Sequence, residues 1–121
     1  MDMYKNENVL CGASKYEKKF YLDERFEQLP DMVKDELKIM CVLYTEEVGG
    51  ILTLEFNEEG NLEFVTRCKE GDLLYDEIGA GLKIKQLRRE KQQLLEEIEL
   101  YYRVVVCKEK INLDEEISFP N

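Results

Sequence analysis

The chain has 121 residues, 44% of them hydrophobic, with no histidine or tryptophan and a formal net charge of −10. That length suits one domain with a real core. The charge excludes a dependence on DNA, RNA or an anionic membrane surface, because phosphate binding rests on lysine and arginine, and it favours a basic partner if the partner is charged.

Met1 to Glu7 lacks the basic stretch followed by an apolar one that marks a secretory signal. No apolar run approaches the ~20 residues needed to span a bilayer, so a cytoplasmic protein without membrane association is expected. Cys11, Cys41, Cys68 and Cys107 lie 27 to 39 residues apart with no Cys-x-x-Cys pair. Such scatter reads as reduced thiols that fill core space. With histidine absent as well, no metal site and no cofactor are expected.

In chain order, Asn8 to Ser14 is an apolar run ending in small turn residues, and Lys19-Phe20-Tyr21-Leu22 follows as the second arm of a hairpin. Arg25 to Leu29 reads as a single helical turn or an irregular linker. Pro30 stands where a helix can begin, since its missing N–H is not needed there, and Asp31 complements the dipole. Val33, Leu37, Met40, Cys41, Tyr44 and Val48 then recur at helical spacing, and Met32, Ile39 and Leu43 form a second apolar strip. A helix apolar on two sides is expected to be buried on two sides. Gly49-Gly50 ends it in the left-handed region.

Ile51 to Phe56 alternates with period two, and Leu62 to Thr66 returns with Leu62 and Phe64 on the face of Leu54. Between them, Asn57-Glu58-Glu59-Gly60-Asn61 makes a compact turn in which Gly60 takes positive φ. Asp72 is a natural N-cap for a last helix from Leu73 to about Val106. That helix would be roughly 50 Å long, against a radius of gyration of about 14 Å for a domain of this size. It is therefore expected to bend at Gly79-Ala80-Gly81 or to project. The reading is one α+β domain over residues 1–121, with a loose polar tail at 108–121. Its core is an antiparallel four-stranded sheet of two hairpins in ββαββα order, with two helices packed on one face and the C-terminal one long.

Little in the chain points to catalysis. A nucleophilic cysteine wants a basic partner, and there is no histidine to supply one. Adjacent carboxylates at Glu46-Glu47 and Glu58-Glu59 point apart in regular structure, so they do not converge for acid–base work. Gly79-Ala80-Gly81 lacks the third glycine and the strand-to-helix setting of a dinucleotide loop. Lys83, Lys85, Arg88, Arg89 and Lys91 form the one basic run, and they wrap the helix rather than line one stripe.

The strongest pattern is a heptad. Ile84, Leu87, Lys91, Leu94, Ile98, Tyr101 and Val105 alternate steps of three and four. β-Branched residues hold three a positions, leucine holds two d positions, and Leu95 and Tyr102 widen the stripe. Lys91 inside the seam either fixes register or snorkels to water. These nine residues are the expected interface of a homodimer.

The run Leu37-Lys38-Ile39-Met40-Cys41-Val42-Leu43-Tyr44-Thr45-Glu46-Glu47-Val48-Gly49-Gly50-Ile51-Leu52-Thr53-Leu54 resembles a family of small bacterial proteins classed as a domain of unknown function. Leu73 to Gly79 and Leu82 to Leu87 share the likeness, which spans about residues 8 to 106. The resemblance implies no activity, substrate or catalytic residue. In size, acidity and element order the chain is also similar to small antitoxin or immunity proteins and secretion chaperones. The leading expectation is a non-enzymatic cytoplasmic interaction protein, dimeric through its C-terminal helix. The alternative is an inhibitor, immunity protein or chaperone for a basic partner, with the apolar stripe covered by its own sheet and an acidic face left to bind. A small enzyme built on carboxylates and tyrosines is the third reading.

Overall fold

Alternating side chains and two tight turns build the sheet. The computed structural model describes residues 8–108, so the tail expected at 108–121 lies, apart from Lys108, outside the described residues. Strands run at Val9–Ser14 (β1), Lys19–Leu22 (β2), Ile51–Phe56 (β3) and Leu62–Arg67 (β4). Every pairing is antiparallel and the order across the sheet is β2-β1-β3-β4, so the hairpins meet through their first strands. Leu54 pairs with Cys11 on one side and Phe64 on the other, and Phe56 pairs with Leu62. Period two gathers these side chains on one face. A register shift between Val9 and Cys11 adds a residue to β1, and both Val9 and Leu10 are buried there. In the β3–β4 turn the Asn57 Oδ1 accepts the Glu59 N–H at 2.9 Å and the Asn61 N–H at 3.0 Å. Gly60 supplies the required φ of +82°.

Helix α1 spans Asp31–Val48, with Pro30 at the capping position. Leu37, Met40, Cys41, Tyr44 and Val48 are buried along it, and the Cys41 Sγ lies 3.9 Å from the Cys11 Sγ of β1. Gly49 and Gly50 then take φ of +92° and +68° to turn the chain back into β3. A side chain at Gly50 would stand 2.6 Å from the Arg67 carbonyl oxygen and 2.8 Å from the Tyr75 ring, so glycine is needed for space as well as conformation.

The C-terminal region departs from expectation in three ways. It holds two helices rather than one, α2 at Glu77–Glu90 and α3 at Gln92–Tyr101, followed by a π-helical turn at Tyr102–Val106. It begins at Glu77, because Asp76 and not Asp72 is the cap: the Asp76 Oδ1 accepts the Gly79 N–H at 2.8 Å. Asp72 is engaged elsewhere, accepting from the Tyr16 hydroxyl and, at 3.0 Å, from the Leu74 N–H. The bend falls at Lys91 (φ −106°, ψ 16°) rather than at Gly79-Ala80-Gly81, which lie within α2. Gly79 leaves room for the Asp76 carboxylate over the first turn, the space a Cβ would take. At the bend, the Lys91 Nζ reaches the Glu36 Oε2 of α1 at 2.9 Å.

A short 3₁₀ turn at Glu24–Phe26 resolves the linker between β2 and α1. The Asp23 Oδ1 accepts from the Arg25 N–H at 2.9 Å and from the Arg25 Nε at 2.7 Å, which directs Phe26 into the core. Burial by itself would raise the Asp23 pKa, but the hydrogen bonds and charge of Arg25 outweigh it and hold the carboxyl below the ordinary carboxylate value. A folded-state pKa below the unfolded one adds stability above the ordinary carboxylate pKa, and that stability is lost as pH falls through the folded value. The thermal-stability gap between the native chain and Asp23→Asn should therefore narrow as the pH is lowered past the carboxylate range. A gap that stays constant from neutral to acid pH would remove Arg25 as the cause.

Candidate functional site

Part of the apolar stripe of the C-terminal helices is spent inside the molecule. Leu87, Leu94, Leu95 and Ile98 are all at most 7% exposed. They belong to the same core as Leu37 and Tyr44 of α1 and Leu54 and Phe56 of β3. Ile84, Lys91, Tyr101, Tyr102 and Val105 are half-buried. Tyr102 stacks on Phe56 with ring centroids 3.8 Å apart and planes within 6°, and the Glu99 Oε2 accepts the Leu62 N–H at 2.7 Å. Of the nine residues expected at a homodimer interface, four are thus covered by the chain's own core and five are covered in part. The physical reason is width: a three-position stripe suits a helix set into a sheet and a neighbouring helix, whereas a two-stranded seam needs only the narrower a and d positions. Lys91 pairs with Glu36 of α1 and its side chain stays partly exposed.

The second strip of α1 behaves in the opposite way. Met32, Ile39 and Leu43 were expected to be buried, yet they are 83%, 57% and 52% exposed. Beside them, between α1 and α2, runs a groove of about 490 Å³ whose walls include Asp35, Glu36 and Glu90. Its two lysines are already neutralised across the helix pair, Lys83 by Glu47 at 3.2 Å and Lys91 by Glu36 at 2.9 Å. Asp35 and Glu90 have no ion-pair partner among the described residues. The result is an apolar floor with an acidic rim.

A family model described as a family of unknown function (DUF6145) matches residues 7–110. The chain belongs to that family. No curated protein and no solved structure matches it. The DUF6145 match runs through every strand and helix described above, so both the buried stripe and the exposed α1 strip lie within it.

Other polar and titratable groups of this DUF6145 chain are placed as follows. Cys11 and Cys41 are buried, and the contact with Cys41, reinforced by burial, pushes the Cys11 thiol up, away from the range of a reactive thiolate. The Tyr44 hydroxyl is buried without a hydrogen-bond partner among the described residues, and burial together with nearby Tyr75 pushes its pKa up. Glu46 and Glu47 point to different cations, Lys15 at 3.1 Å and Lys83 at 3.2 Å. Glu58 and Glu59 stand exposed in the β3–β4 turn. The basic run is dispersed: Lys83 and Lys91 reach α1, while Arg88 lies over the Phe64 ring at 5.6 Å. Among the described residues no group of three cysteine, aspartate or glutamate side chains could hold a metal ion. No helix among them is long and apolar enough to cross a membrane.

Proposed function

We propose that this DUF6145 protein is a non-enzymatic, acidic cytoplasmic protein that binds a basic amphipathic helical segment of another protein along the α1 groove, as an inhibitor, immunity protein or chaperone would. The observation that carries the reading is the exposed strip of Met32, Ile39 and Leu43 beside the carboxylates of Asp35 and Glu90, which have no ion-pair partner among the described residues. Such a surface matches leucine-type anchors on one side of a helix and lysine or arginine on the other. By strand alternation, the sheet residues touched by α1 and by the C-terminal helices share one side, so both would cover one face and leave the outer side of α1 to bind. A homodimer through Ile84 to Val105 would have to open the core. A homodimer through α1 would set two acidic rims, on chains of −10 each, against one another.

Light scattering and peptide titration of the full chain test this. The expected result is a monomer at micromolar concentration that binds a synthetic leucine–lysine helix with leucines at i, i+3, i+4 and i+7, more weakly as salt rises. Ile39→Asp should weaken that binding about tenfold or more, from the loss of one apolar anchor of about 1.5–3 kcal/mol. The same substitution makes the protein more acidic, so attraction by charge alone would strengthen binding instead. Unchanged or tighter binding by Ile39→Asp would overturn the groove. A dimer that Ile39→Asp splits would give it to a second copy of the chain.

A further inference from the structure

The β1–β2 turn and the middle of α1 enclose a second hollow, of about 450 Å³, on the other flank of α1. Lys15 and Lys18 line it from the turn, Lys19 from the start of β2 and Lys38 from α1, against a single carboxylate, Glu46. In a chain with 27 acidic and 17 basic residues this runs counter to the average surface. Lys15 is held by Glu46 at 3.1 Å. Lys18, Lys19 and Lys38 have no ion-pair partner among the described residues, a state they share with Lys69, Lys85, Arg88, Arg89 and Arg103; what sets them apart is that they gather at one hollow. Three ammonium groups left unpaired around one concavity repel each other, and a multiply charged anion relieves that repulsion. Lys18 takes the left-handed φ of +53° that closes the turn and brings the hairpin lysines together.

Ser14, whose Oγ accepts the Glu17 N–H at 3.2 Å, holds the turn that carries the lysines. One further feature defines the ligand. Phe20 and Val42 add apolar lining. We infer that this hollow binds a small phosphate monoester carried on an apolar or aromatic body. A phosphate monoester brings a charge of about −1.5 to −2 and three acceptor oxygens to the lysines. The volume lies in the range of small-ligand pockets, and a long polyanion is disfavoured by the net charge of the whole chain. This inference stands independently of the α1 groove, since it uses other residues and a ligand of opposite charge.

Amide chemical-shift mapping of the full chain with phenyl phosphate, inorganic phosphate and phenol tests it. Phenyl phosphate should give saturable shifts over residues 14–20 and 38–46, with a Kd about tenfold or more below that of inorganic phosphate, and phenol should bind more weakly still. Lys18→Gln combined with Lys38→Gln should raise the phenyl phosphate Kd about tenfold. Both sites are exposed, so thermal stability should hold, and Lys83→Gln in the α1–α2 groove should leave the Kd unchanged. Non-saturating shifts spread over lysines throughout the surface would overturn the site, as would a double variant that binds like the native chain. Inorganic phosphate binding as tightly as phenyl phosphate would overturn the composite ligand.

Discussion

Ile98→Asp is expected to unfold the protein rather than to separate two copies of it. Ile98 is 1% exposed and sits in the core that joins α3 to α1 and the sheet. Losing the side chain costs about 2–5 kcal/mol, and a buried carboxylate without a cation adds several more unless it takes up a proton. A domain of this kind holds only about 5–15 kcal/mol in total. Circular dichroism should show loss of the cooperative transition at neutral pH, whereas Ile39→Asp on the exposed side of α1 should keep it. A folded Ile98→Asp variant whose only change is a halved mass would restore the C-terminal helix as a dimer seam.

Phe26→Ala should produce the largest loss among aromatic truncations, about 3–5 kcal/mol for a fully buried phenylalanine. Phe26 is 0% exposed and stands 5.7 Å from the Phe56 ring, 5.9 Å from Tyr101 and 6.3 Å from Tyr102. It is the wedge between the end of β3 and the π-helical turn, so its removal leaves a cavity where two elements meet. For a chain of this length the loss corresponds to a fall in thermal midpoint of roughly 10–20 °C. The tyrosine signal in near-ultraviolet circular dichroism should weaken at the same time, because Tyr101 and Tyr102 lose their packing partner. A destabilisation under about 1 kcal/mol would mean that the cluster relaxes to fill the space and does not anchor the C-terminal helices.

Local chemistry made much of the fold legible. Pro30 and Gly49-Gly50 bracket α1 as expected, because a missing N–H and positive φ are properties of single residues. Asn57 and Gly60 mark the β3–β4 turn for the same reason. The start of α2 was harder. Asp72 and Asp76 are equally good caps in isolation, and only the Tyr16 hydroxyl, 56 residues from Asp72 along the chain, decides between them. The bend went the same way: glycines suggested it, but the tie from Lys91 to Glu36 lies at the observed position. Lys38 joins the hairpin lysines only once α1 lies across β1, so no run of basic residues announced that hollow.

The sequence by itself determined the α+β composition, the two hairpins, the length of α1 and the acidic character, all of which follow from period, turn chemistry and charge count. Tertiary structure alone decided which apolar strips are covered. Periodicity reports that one side of a helix is apolar and is silent about what lies opposite, so only packing shows that Leu87, Leu94, Leu95 and Ile98 of the heptad are buried while the second strip of α1 is exposed.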